Sequence, residues 1–246
     1  MAAISNLKPA FKWLNDNQGV VSAAIFLFTI VLGWTSGIFS AFRRRPKFKI
    51  STLPGPTFCC TYPVGKKYCN YDVHRTGVAL YLKISNVGSA SSSIENISIG
   101  YHWHLKPFSI LWFKYRLGWF WLNEQTTSLT DFQSLIGENL KIYPFLTQKS
   151  ILSGESAETF LEVGQSTSGV VYFEQPDSWG GCFPTTQQGT IHLKIRVRDV
   201  FGNCHHAKTS IPVISFEKAR TFNPTFGKTL AELHGEPLPY DAPAQP

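Results

Sequence analysis

Charge is scarce in this chain. Asp, Glu, Lys and Arg make up 16% of its 246 residues, below the roughly one quarter usual in soluble domains. A membrane helix and a buried β core both lower that share. Acid is scarcer than base: 16 Asp and Glu stand against 23 Lys and Arg, a net charge of +7. An excess of base suits an anionic membrane surface or nucleic acid, and part of it sits directly after the most apolar segment. Cysteine is also sparse and irregular. Cys59, Cys60, Cys69, Cys182 and Cys204 form no CxxC pair, which argues against a zinc ribbon. Their odd number is a poor disulfide framework and favours a reducing compartment.

Familiar catalytic signatures are missing as well. The sequence has no GxSxG elbow, Walker loop, GxGxxG fingerprint or HExxH helix, so the reactions those motifs support have no marker here. No internal repeat is visible. No long amphipathic helices alternate with the strand-like segments, which argues against a βαβ organisation. Glu155, Glu158, Glu162 and Glu174 supply carboxylates without an evident apolar pocket.

What is present begins with an uncharged run, VVSAAIFLFTIVLGWTSGIFSAF, over residues 20–42. At 1.5 Å per residue, about 23 helical residues cross the roughly 30 Å hydrocarbon core with room to tilt. The run is too long for a signal-peptide core. Arg43, Arg44, Arg45, Lys47 and Lys49 follow it, whereas only Lys8 and Lys12 precede it. The positive-inside rule then leaves the N-terminal segment (1–19) outside and the rest of the chain in the cytoplasm, at the cell (inner) membrane in the bacterial arrangement of anchor, basic stop (43–46) and β domain. Thr29, Gly33, Gly37 and Ala41 recur every four residues. Such a small-residue ridge allows close helix pairing and a homo-oligomer, although Gly and Ser are common in membrane helices in any case.

Residues 47–216 read as strands. Segments 47–51, 57–62, 78–85, 94–104, 159–163, 169–174, 190–197 and 207–215 are rich in β-formers and bounded by turn residues. Ile97, Ile99, Tyr101 and Trp103 share one parity. So do Ile191, Leu193, Ile195 and Val197, with His192, Lys194 and Arg196 opposite. Pro212 marks an edge strand. The expected fold is mainly β: an immunoglobulin-like β-sandwich after one membrane helix, with a small β-barrel as the alternative. Residues 217–246 read as a Pro-rich mobile tail with a short helix near 228–233.

An aromatic-rich insertion falls at about 105–147. Within it Lys106, Trp112, Lys114, Arg116, Trp119 and Trp121 interleave base with aromatic rings, a composition that suits a headgroup interface or the filling of a core. On a helix, Phe108, Leu111, Trp112, Tyr115, Trp119 and Leu122 share a face; on a strand, Leu111, Phe113, Tyr115 and Leu117 do. Stacking on nucleic acid finds no supporting RNP-like or OB-like signature. Candidate metal ligands are His102, His104, Cys204 and His206, at spacings that match no usual zinc pattern; His205 and His206, being adjacent, point to opposite faces of a strand. Asn96-Ile97-Ser98 is a glycosylation sequon, discounted on the cytoplasmic side. The functional expectation is a membrane-tethered, non-enzymatic binding module for a protein or small-molecule ligand, with no cofactor and the bilayer as partner. The alternatives are a membrane effector or sensor that clusters through its helix, and a metal-dependent enzyme.

Overall fold

The computed structural model describes residues 12–13, 15–36, 44–105, 108–149 and 158–228. The chain divides into two compact units, Met1–Arg45 and Pro46–Pro246.

In the first unit, helix α1 (Gln18–Thr35) is long and apolar enough to cross a membrane. None of its residues is buried against protein. Hydroxyls within so apolar a helix need partners. Thr29 donates to the Ile25 carbonyl at 2.8 Å and Thr35 to that of Val31 at 3.0 Å. Gly37, Ala41 and Arg43, and with them the expected helix end at 42, lie outside the described residues.

The second unit is mainly β and contains a curled half-barrel sheet. Its first sheet is built on the long strand β3 (Tyr71–Asn86). Strands β1 (Phe48–Thr52) and β2 (Phe58–Tyr68) pair with successive stretches of β3, interrupted by Pro54-Gly55-Pro56. Proline has no N–H to give to a ladder, so the break falls there. On the other edge of β3 runs β9 (Ser166–Trp179).

The second sheet joins β4 (Ser92–Tyr101), β5 (Phe120–Leu122), β8 (Phe160–Leu161), β10 (Thr186–Gln187), β11 (Thr190–Asp199) and β12 (Cys204–Pro212). Along one side of β11 lies β12, while β4 and β10 share the other. Among named strands β12 pairs only with β11, the edge position that Pro212 marks. Beyond it the backbone turns onto the first sheet, where Ile214 N–H donates to the Cys59 carbonyl at 2.9 Å.

Period-two alternation sends Val78, Leu80, Leu82 and Ile84 of β3 into one buried cluster with Ile97, Ile99 and Tyr101 of β4 and with Ile191, Leu193, Ile195 and Val197 of β11. The opposite face of β3 and β9 is also covered. There Phe58, Ala79, Val170 and Tyr172 meet Phe132 and Tyr143 of the hairpin β6 (Phe132–Ile136)–β7 (Asn139–Tyr143), together with Phe145, Ala219 and Phe226. Burial on both faces explains the unbroken apolar run at 78–80.

This second cluster takes in two segments that the sequence left apart. At the start of the stretch read as a Pro-rich tail, Phe216–Phe222 forms helix α3, capped by Ser215, whose Oγ accepts from Lys218 N–H at 3.3 Å. Ala219, Asn223 and Phe226 are buried. The remainder of the tail, including most of 228–233, lies outside the described residues. Residues 120–146, within the stretch read as an insertion, supply β5 and the cover of the second cluster.

Candidate functional site: an aromatic cleft

A cleft of about 1060 Å³ opens where the β2–β3 hairpin, the end of β9, the 180–187 segment and the start of the aromatic segment converge. Cys69 and Asn70 take positive φ at the hairpin tip (45° and 65°), which turns β2 tightly into β3 and brings Tyr68 within 4.4 Å of the Trp179 ring. Tyr71 and Trp179 both line the cleft. Trp112 also lines it, in the helical turn α2 (Ile110–Trp112), and its N–H donates to Ser109 Oγ at 3.0 Å. Phe183 is a further lining residue, stacked on His104 at 5.2 Å and edge-on to His74 at 5.3 Å.

Backbone hydrogen bonds hold the segments 102–104 and 183–185 together. His104 N–H donates to the Phe183 carbonyl and Thr185 N–H to that of His102, both at 2.8 Å. Gln175 Nε2 donates to the Cys182 carbonyl at 2.8 Å, while its Oε1 accepts from Tyr101 Oη. A Cβ on Gly181 would fall 1.9 Å from the His104 carbonyl oxygen, so only glycine permits this approach. Thr185 Oγ1 is buried without a hydrogen-bond partner among the described residues. Burial pushes the Cys182 thiol up, so it stays protonated at neutral pH and is no ready nucleophile. The described lining contains no Asp, Glu, Lys or Arg. Such a cleft can enclose an uncharged, ring-bearing ligand and orient it through a few polar atoms.

The aromatic segment follows neither of the single faces expected for it. After α2 the chain widens into a π-helical turn (Phe113–Leu117) and then enters β5. Its rings diverge accordingly. Trp112 lines the cleft. Tyr115 packs on Trp103 at 4.5 Å, and Trp119 lies against His102 at 4.2 Å. Trp121 meets the Arg196 guanidinium at 4.4 Å. Phe108, Ile110, Leu111, Phe113 and Leu117 remain exposed, Phe108 and Ile110 at 85% and 88%. Lys114 is exposed beside Tyr115. Lys106 and the Arg116 side chain lie outside the described residues.

The four candidate metal ligands are not brought together. His102 Nδ1 lies 2.8 Å from the Gly118 carbonyl, and His104 turns to Phe183. Cys204 pairs across the ladder with Arg198 and His206 with Arg196, which in turn faces Ser98. Ser98 is four residues from His102, about 13 Å along a strand. Among the described residues no group of three His, Cys, Asp or Glu is placed to hold a metal ion. His205 and His206 do point to opposite faces: His206 is exposed, and His205 reaches inward to Asp199 at 3.0 Å. Of the residues expected to serve as a membrane anchor, Thr29 and Gly33 lie one turn apart in α1, and Arg44 and Arg45 are exposed after it.

Sequence reasoning missed Tyr71, Trp179 and Phe183. The one local signal was Trp179-Gly180-Gly181, a ring followed by residues that permit close backbone approach. The sequence matches no protein-family model and no curated protein.

Proposed function

We propose that the protein is a membrane-tethered, non-enzymatic binding module whose aromatic cleft takes an uncharged, apolar or aromatic ligand. One observation carries the reading: a large cleft with ring walls held by backbone hydrogen bonds and with no carboxylate, Lys or Arg in its described lining. Burying rings against rings contributes affinity without desolvating charge.

Helix α1 is the anchor in this reading, with Arg43, Arg44 and Arg45 holding the cytoplasmic side and the ridge through Thr29, Gly33, Gly37 and Ala41 pairing two copies. We read the β domain as an immunoglobulin-like sandwich; the buried cluster shared by residues of β3, β4 and β11 supports that reading. The exposed Phe108, Ile110 and Leu117 support contact between the aromatic segment and the bilayer interface, in place of the tryptophans.

The test has two readouts on the full chain. After carbonate washing of membranes, the chain is expected in the pellet; recovery in the supernatant refutes the anchor. In deuterated detergent, saturation-transfer NMR is expected to detect indole binding to the wild type and to lose it in Trp179→Ala. Equal transfer in both refutes the cleft as the binding site.

A further inference from the structure

The side of the second sheet turned away from its core carries a dense set of basic groups. Strand β11 presents His192, Lys194, Arg196 and Arg198 there, the alternate residues Ile191, Leu193, Ile195 and Val197 being buried. From β12 come His206 and Lys208, both exposed. The register sets Lys194 directly opposite Lys208 and Arg196 opposite His206. Like charges facing each other across a ladder destabilise the sheet, and among the described residues neither Lys194 nor Lys208 has an ion-pair partner. The acid that is paired on this face is Glu95, at 3.0 Å from Arg198. Arg196 is held in place: it donates to Ser98 Oγ and to Asn123 Oδ1, both at 2.9 Å, and covers the Trp121 ring. The His206 imidazole is depressed below its ordinary value, first by partial burial and then by the charges of Lys194 and Arg196, so the positive potential is felt within the face itself.

We propose that this face, formed by β4, β5, β11 and β12, docks on the anionic lipid headgroups of the membrane that α1 enters. The inference rests on the tethered reading given above. Charge complementarity selects an anionic partner, and the tether makes a lipid surface the anion at highest local concentration. A single-stranded nucleic acid held by stacking would need free ring faces for its bases. Here the Trp121 ring is taken up by the Arg196 guanidinium and by Gly100, whose Cβ position would lie 3.0 Å from it. Trp119 is likewise spent on His102. What stays open is amines and imidazoles on a sheet surface, which match phosphate headgroups and do not discriminate bases.

The test is amine footprinting of the full chain in proteoliposomes, read by mass spectrometry after brief acetylation. Flotation with phosphatidylcholine vesicles after a carbonate wash comes first; a chain that does not float overturns the tether and the proposal with it. In floating chains, acetylation of Lys194 and Lys208 is expected to be about fivefold slower when roughly 30% of the lipid is phosphatidylglycerol than in phosphatidylcholine alone. The protection is expected to vanish near about 0.5 M NaCl, where screening is short-ranged. Lys83, on the outward side of β3 in the other sheet, is expected to react equally in both vesicles. Equal rates at Lys194 and Lys208 overturn the docking face while leaving the anchor intact. Protection by poly(U) on phosphatidylcholine vesicles, without protection by phosphatidylglycerol, overturns it in favour of nucleic acid.

Discussion

Asp199 shows how a single buried carboxylate organises a turn. Its side chain is fully buried at the end of β11 and accepts from the backbone N–H groups of Phe201 and Asn203, each at 2.9 Å, and from the Asn203 amide. His205 completes the set. Phe48 N–H donates to its Nδ1 at 3.2 Å, which places the proton on Nε2, facing Asp199. Burial by itself raises the Asp199 pKa, but the hydrogen bonds from His205, Asn203 and Phe201 outweigh it, and the net position is below the usual carboxylate value. A depressed folded pKa contributes stability that is fully present above the unfolded value, about 3.9, and is lost as pH falls through the folded one. Asp199→Asn is therefore expected to cost about 1–3 kcal/mol at neutral pH. It is also expected to flatten the acid limb of stability below about pH 4. Urea unfolding of the full chain in detergent, repeated across pH, checks both; an unchanged acid limb would mean that another group controls it.

At the scale of elements, α3 and the turn after it decide whether the C-terminal segment is structural. Phe226 packs within 6.0 Å of the rings of Phe58, Tyr62, Tyr172 and Phe216, and it lies over Gly77, where a Cβ would meet its ring at 2.6 Å. Removing a buried Phe side chain costs about 3–5 kcal/mol. Phe226→Ala is expected to lower the melting temperature of the full chain by several degrees, whereas a loose tail would leave it unchanged. The helix was hard to read for a physical reason: at seven residues it is too short for periodicity to stand out, and its Pro-rich surroundings resemble a linker. Its start was nonetheless written in Ser215, a capping residue with Glu217 in the first turn. The strand β11 is the opposite case. Strict alternation of Ile, Leu, Ile and Val with His, Lys and Arg admits one assignment, and all four apolar residues are at most 1% exposed.

For the whole molecule, the expected orientation gives a direct measurement. Arg43, Arg44, Arg45, Lys47 and Lys49 stand on one side of the apolar run and Lys8 and Lys12 on the other. A reporter fused after residue 246 is expected to be active if it is a fluorescent protein that matures in the cytosol and silent if it is alkaline phosphatase. Active phosphatase would reverse the orientation and remove the argument that the cysteines are in a reducing compartment. Cys59 and Cys60 would not be affected by such a reversal, because both are buried and burial raises their thiols.

The sequence by itself determined those features that depend on neighbours along the chain. A continuous apolar run makes α1, since helical hydrogen bonds close within four residues. Alternation of polar and apolar residues makes β4 and β11 and assigns their buried faces, and a run of β-formers makes β9. Only the tertiary structure decided the sites, because their members are far apart in sequence. Tyr71, His104, Trp112 and Trp179 meet through the pairing of β3 with β9 and the contact of 102–104 with 183–185. Lys194 and Lys208 face each other because the turn after Asp199 sets that register. The rings of 108–122 could be counted in the sequence but not placed, since a π turn followed by a strand breaks both periodicities and sends each ring to a different neighbour.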